Sequence, residues 1–123
     1  MATIKNFEDL EIWKNARSLT KSVYQDFYSN RDYGFKDQIQ SASISIMNNI
    51  AEGFWRYSDV EFRQFLKFSR GSAGEVKSMY YVAEDLNYLP ANLCNERRNT
   101  TQGIANGLTA FMDYLRLSAR NKK

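Results

Sequence analysis

Residues 58–90 read SDVEFRQFLKFSRGSAGEVKSMYYVAEDLNYLP, and the spacing within them decides the fold. Ser58 and Glu61 stand three apart, the spacing of a capping box, in which hydroxyl and carboxylate satisfy the free amides of a helix start. Beyond them Phe62, Phe65, Leu66, Ala73, Val76, Tyr80 and Ala83 recur at intervals that gather them on one face of a helix. The pattern predicts a helix over 59–88, stopped by Pro90, which has no amide to continue the ladder. Gly71 and Gly74 stand inside it at a cost of about 1 kcal/mol each relative to alanine. Close approach of a neighbouring helix is the expected reason, with a bend as the alternative.

Upstream, Phe35, Ile39, Ala42, Ser43, Ile46 and Ile50 share one face of a helix predicted over 35–52, with Gly53 as its expected C-terminal stop. Ile44, Met47 and Ala51 widen the apolar arc, while Ser41, Ser45, Asn49 and Glu52 fall on another flank. Two faces on one helix imply packing inside the bundle and against something else. Nearer the N-terminus, Trp13, Ala16, Thr20, Val23, Tyr24 and Phe27 mark a helix over 7–28, with Phe7 and Leu10 extending its rhythm. Asn6 is its expected N-cap, and Glu8, Asp9 and Glu11 put negative charge at its positive end. Residues 29–34 carry turn-forming side chains. Downstream, Ile104, Leu108, Phe111, Met112 and Leu115 predict a last helix over 92–118, weakened by Gly103 and Gly107, with a frayed tail from Arg120. No strand alternation appears. Amphipathic helices joined by short connections become antiparallel neighbours. The expectation is therefore an all-α fold: one domain over 1–123, a single antiparallel up-down-up-down four-helix bundle.

Composition closes most enzyme classes. Histidine is absent and Cys94 is the only cysteine, so neither common zinc and haem ligand sets nor a triad with a histidine base can be assembled. A carboxylate-only magnesium or calcium site stays open in principle. The lone cysteine excludes an intrachain disulfide and fits a reducing compartment. No run approaches the ~20 apolar residues of a membrane span, and residues 1–6 carry no secretory pattern. A cytoplasmic protein without cofactor, metal or membrane contact is expected. The net charge of +3 permits anionic partners without requiring them.

Three segments give the chain a resemblance: Phe7-Glu8-Asp9-Leu10 with Trp13 and Ala16; Ser45 leading into Asn49-Ile50-Ala51-Glu52-Gly53 and Arg56; and Phe65-Leu66 with Ser69-Arg70-Gly71-Ser72 and Glu75. Together they resemble the family of four-helix-bundle proteins named for the 23S ribosomal RNA intervening sequence. That resemblance implies a cytoplasmic bacterial bundle assembling into a homopentamer, with no established enzymatic activity. A related branch, the accessory proteins of diversity-generating retroelements, works with reverse transcriptase and nucleic acid, which extends the expectation to such partners by analogy.

Two constellations stand out in the residues themselves. Arg56, Arg63, Arg70 and Lys77 follow at seven-residue steps with Lys67 between them, a stripe suited to tracking phosphates. Trp55 and Tyr57 flank Arg56 and could stack on unpaired bases. The alternative is a solvated face with local ion pairs. Asn49, Glu52, Arg70 and Glu75 form the second group, read as a structural hydrogen-bond network in which Arg70 bridges to Glu52 or Glu75. Its rival is a polar pocket doing acid–base work or holding a cation. Cys94 reads as an inert packing residue. The combined expectation is a non-catalytic, self-associating scaffold that binds RNA, DNA or a nucleic-acid enzyme, the alternative being a protein–protein adaptor that never touches nucleic acid.

Overall fold

The computed structural model describes residues 4–56 and 58–121, with side chains to Ser118. A short 3-10 turn, Phe7–Asp9, precedes α1 (Glu11–Asp26), α2 (Tyr33–Phe54), α3 (Asp59–Asp85) and α4 (Ala91–Asn121). No strand occurs among the described residues. Lys122 and Lys123, placed by the sequence in a frayed tail, lie outside them, whereas Arg120 and Asn121 are helical.

The helix ends show where local chemistry rules. At the start of α3 the Ser58 hydroxyl accepts from the Glu61 amide at 3.1 Å, the expected cap, while the Glu61 carboxylate accepts from that hydroxyl at 3.2 Å rather than from a free amide. The far end departs from expectation, because α3 stops at Asp85, before Pro90 is reached. Asn87 takes a left-handed conformation (φ 58°); its amide donates to Glu84 O at 3.0 Å and the Tyr88 amide to Ala83 O at 2.8 Å. This paired closure satisfies the last carbonyls, and asparagine tolerates it because its short side chain costs little there.

Three other expectations are corrected. Asn6 caps only the 3-10 turn, without a side-chain bond, and Leu10 is extended (φ −74°, ψ 128°), so one continuous helix does not run from Phe7. Packing wins over periodicity here: Phe7 meets Trp13 edge-on at 5.2 Å while Leu10 enters the core. Next, α2 begins at Tyr33, where Asp32 accepts from the Phe35 amide at 3.2 Å. It also passes through Gly53, which has no positive φ and is buried. Gly53 is there for space, since a Cβ would lie 2.7 Å from Phe65 Cβ. Gly71 and Gly74, for which close approach was expected, face open space with nothing within 4 Å of a Cβ.

Cross-helix contacts fix the direction of every neighbour. Ser69, Ser72 and Glu75 of α3 bond to Ile46, Ser45 and Gln38 of α2. Arg70 and Lys77 of α3 meet Thr109 and Gln102 of α4. Thr20 of α1 bonds to Ser43 of α2 and Phe27, just past α1, meets Phe35 of α2, while Ile12 and Asp26 of α1 lie against Gly107 and Arg97 of α4. Along each pair one position rises as the other falls, so adjacent helices are antiparallel. Both α1 and α3 pack closely on α2 and α4 and reach each other only through side chains, such as Tyr80 with Asp26, which puts them diagonally across the bundle.

Leu19, Val23, Phe27, Ile39, Ile46, Ile50, Leu66, Val76, Tyr80, Leu108 and Leu115 fill the centre. Each aliphatic side chain so buried contributes about 1.5–3 kcal/mol before chain entropy is subtracted. Tyr24, grouped by spacing with the core face of α1, is instead exposed, and Leu19 takes the interior. Of the wide apolar arc of α2, Met47 packs on the core, while Ile44 and Ala51 are half-buried. Large apolar side chains are exposed at Phe68 and Val82 of α3, at Leu86 just past its end, and at Leu117 of α4. No described helix is long and apolar enough to cross a membrane.

Candidate nucleic-acid interface on α3 and α4

The seven-residue steps of α3 place Arg63 and Arg70 on the flank that faces α4, with Lys67 beside them. There the structure opens a groove of about 240 Å³ lined by Arg63, Lys67, Arg70, Thr109, Met112, Asp113 and Arg116. Arg70 Nη1 donates to Thr109 Oγ1 at 3.0 Å, which holds the guanidinium at the helix seam. Arg116 reaches Asp113 at 3.4 Å, an exposed pair one turn apart and weak on that account. Arg63 is half-buried, and its Nε is buried without a hydrogen-bond partner. An unpaired guanidinium N–H is costly to bury, and an incoming oxyanion is the kind of acceptor that would relieve it.

The rest of the basic stripe divides. Lys77 lies outside the groove, its Nζ donating to Gln102 Oε1 at 2.7 Å. Arg56 pairs with Glu52 at 3.0 Å and stacks its guanidinium 4.7 Å above the Phe65 ring, so much of its capacity is engaged locally. Trp55 caps α2 and is 72% exposed, held edge-on by Phe54 at 6.3 Å. Tyr57 lies outside the described residues.

The four polar residues of the second constellation do not form one network. Arg70 turns to Thr109 rather than to Glu52 or Glu75. Glu52 binds Arg56, Glu75 accepts from Gln38 at 3.0 Å, and the Asn49 amide folds back onto Ser45 at 2.8 Å. Near partners on the same or the facing turn win, because they need no long side chain to be immobilised. No group of three or more potential metal-ligating side chains occurs among the described residues.

An ion-paired tie between helices was not visible in the spacing. Asp26 of α1 accepts from Arg97 of α4 at 2.7 and 3.0 Å and from the Tyr80 hydroxyl of α3 at 2.8 Å. Burial, reinforced by Asp26, holds the Tyr80 phenol far above its usual pKa, and the Asp26 hydrogen bond raises that of Arg97. Arg98 makes a second tie, to Glu84 at 2.8 Å, with its guanidinium 4.1 Å above the Tyr81 ring. Sequence reasoning also missed Arg116 in the groove; its seven-residue step from Thr109 was the available signal.

These features define a class: an all-α antiparallel bundle of four helices with one basic groove between its last two. The chain belongs to the 23S rRNA-intervening sequence protein family, whose model matches residues 8–110. Among solved structures it is similar to a protein of unknown function from the S23 ribosomal protein family of Bacteroides thetaiotaomicron. The TM-score is 0.77 at 16% identity, covering 82% of this chain and 97% of that one. At that identity the likeness shows the fold alone. No curated protein matches the chain.

Proposed function

We propose that the protein is a non-catalytic, self-associating helical scaffold that binds nucleic acid along the α3–α4 groove. One observation carries the reading: Arg63, Lys67, Arg70 and Arg116, drawn from two helices, line one groove in which Asp113 is the single carboxylate. Such a row attracts a polyanion by releasing its condensed counterions. The orphaned Arg63 Nε supports an oxyanion ligand. Exposed Phe68, Val82 and Leu86 on α3 support docking of further copies, in keeping with the homopentamer that the resemblance implied. A buried free thiol suits the cytoplasm.

The test is binding of a labelled duplex by wild type and by a Lys67→Glu, Arg116→Glu variant, two exposed positions whose change spares the core. Wild type should weaken with salt, and the variant should lose about two units of the log–log salt slope. Light scattering on the same samples reads the subunit number. Unchanged affinity in the variant removes the groove, and a clean monomer at micromolar concentration removes the self-association. The exposed apolar positions on α3 also favour a second reading, an adaptor for another protein. A purified sample free of nucleic-acid absorbance that binds neither duplex nor single strand supports it.

A further inference from the structure

The outward face of α1 has no role in the reading above. Lys14, Arg17, Lys21 and Tyr24 recur there at alternating steps of three and four, the spacing that keeps side chains on one face of a helix, and Tyr28 follows in the turn just past the helix end. All five are exposed, Tyr28 at 80%. Lys14, Arg17, Ser18 and Lys21 line one surface hollow of about 330 Å³. Tyr24, Gln25, Tyr28, Lys36 and Gln40 line the next, about 580 Å³, at the α2 side of the same helix end.

The charges on this face are unbalanced. Among the described residues no carboxylate pairs with Lys14, Arg17, Lys21 or Lys36. The only acids of α1 are Glu11, in its first turn, and Asp26, which is taken by Arg97. By contrast, Arg56, between α2 and α3, has an acid partner, and Lys77 of α3 an amide. Lys36 sits 5.9 Å from the Tyr28 ring centre and donates to the Tyr28 backbone carbonyl at 2.9 Å, while Tyr28 stays largely open to solvent.

We infer that this face of α1 is a second nucleic-acid site, selective for single strands: Lys14, Arg17 and Lys21 hold the backbone phosphates while Tyr24 and Tyr28 stack on unpaired bases. Charge complementarity selects a polyanion, because these three cations at successive turns have no carboxylate partner among the described residues; Arg17 only lies over the Trp13 ring, at 5.7 Å. The rings select the single strand, because a duplex keeps its bases stacked on one another and offers only phosphates. Lys14 to Tyr28 spans about 20 Å, room for about six nucleotides of a stacked strand. Since α1 lies diagonally across from α3, this site and the α3–α4 groove are separate surfaces of one subunit.

Fluorescence anisotropy with a labelled oligothymidylate and a labelled duplex tests the inference on the full chain. Three variants are compared at matched helical signal: Lys14→Glu with Lys21→Glu, Tyr24→Leu with Tyr28→Leu, and the Lys67→Glu, Arg116→Glu groove variant. The lysine pair should weaken the single strand at least about tenfold and flatten its salt slope by about 1.4. The tyrosine pair should weaken the single strand about tenfold at unchanged salt slope and leave the duplex untouched. Unaltered single-strand affinity in both α1 variants overturns the inference, as does an equal loss of duplex in the tyrosine pair. So does a protein that ignores the oligonucleotide but binds anionic phospholipid vesicles through Lys14 and Lys21. Loss confined to the groove variant removes the α1 site and keeps the groove, and loss confined to the α1 variants does the reverse.

Discussion

Replacing Gly53 with alanine should destabilise the protein, against the general rule that alanine improves a helix interior. The added Cβ would stand 2.7 Å from Phe65 Cβ and 2.8 Å from Phe62 Cδ1. Carbon atoms in comfortable contact sit about 3.5–4.0 Å apart, so the shortfall is near 1 Å. Phe65 Cβ is fixed to the α3 backbone. The buried Phe62 ring cannot swing away either, because it meets Phe54 at 6.0 Å and Phe111 at 5.4 Å, both edge-on. Relief requires α2 and α3 to separate. Such overpacking costs about 1–3 kcal/mol, against about 1 kcal/mol returned by helix propensity. The net expectation is a loss of up to about 2 kcal/mol. Gly74→Ala is the internal control, since nothing lies within 4 Å of its Cβ and about 0.5–1 kcal/mol of stabilisation should appear. Urea unfolding followed by circular dichroism, at one fixed protein concentration because self-association couples the two, measures both. A Gly53→Ala protein stabilised as much as the Gly74→Ala control would refute the close crossing of α2 and α3 at this point.

Two further outcomes follow from the same structure. Asp32 is held below its usual carboxyl value of 3.8, first by the Tyr88 hydroxyl and then by the Phe35 amide. The unfolded chain therefore takes up that proton before the folded one does, so the stability Asp32 contributes is present above the unfolded value and is lost as pH falls through the lower, folded one. Asp32→Asn keeps an oxygen for the cap but not the titration, so its urea midpoint should fall less than that of wild type from about pH 5 to about pH 3. Parallel curves would contradict the assignment. Cys94 is buried, and burial raises its thiol pKa. Iodoacetamide should label it at least about a hundredfold more slowly in the native protein than in urea, and equal rates would show that the α4 packing around it opens readily.

The α3 cations were legible from the sequence because helical period alone decides which positions share a flank. Arg63, Lys67 and Arg70 needed nothing more to be placed together, and α4 then added Arg116 from across the seam. The row on α1 was equally periodic and was passed over because that helix was read for its apolar positions. Hydrogen-bond partners were not legible. Asn49 chooses Ser45, and Arg70 chooses Thr109, according to side-chain direction and helix separation, which no spacing encodes.

By itself the amino-acid order determined that four helices form, which faces of α2, α3 and α4 turn inward, and that Ser58 opens α3. Those are consequences of period and of chemistry within one turn, and they act before distant segments meet. Only the tertiary structure decided that Gly53 marks a close crossing while Gly71 and Gly74 face open space, that Asp26 binds Arg97 and Tyr80, and that Tyr24 stands outside while Leu19 fills the centre. Each of these depends on the distance between helix axes and on which neighbour arrives first. Those quantities exist only once the helices have packed.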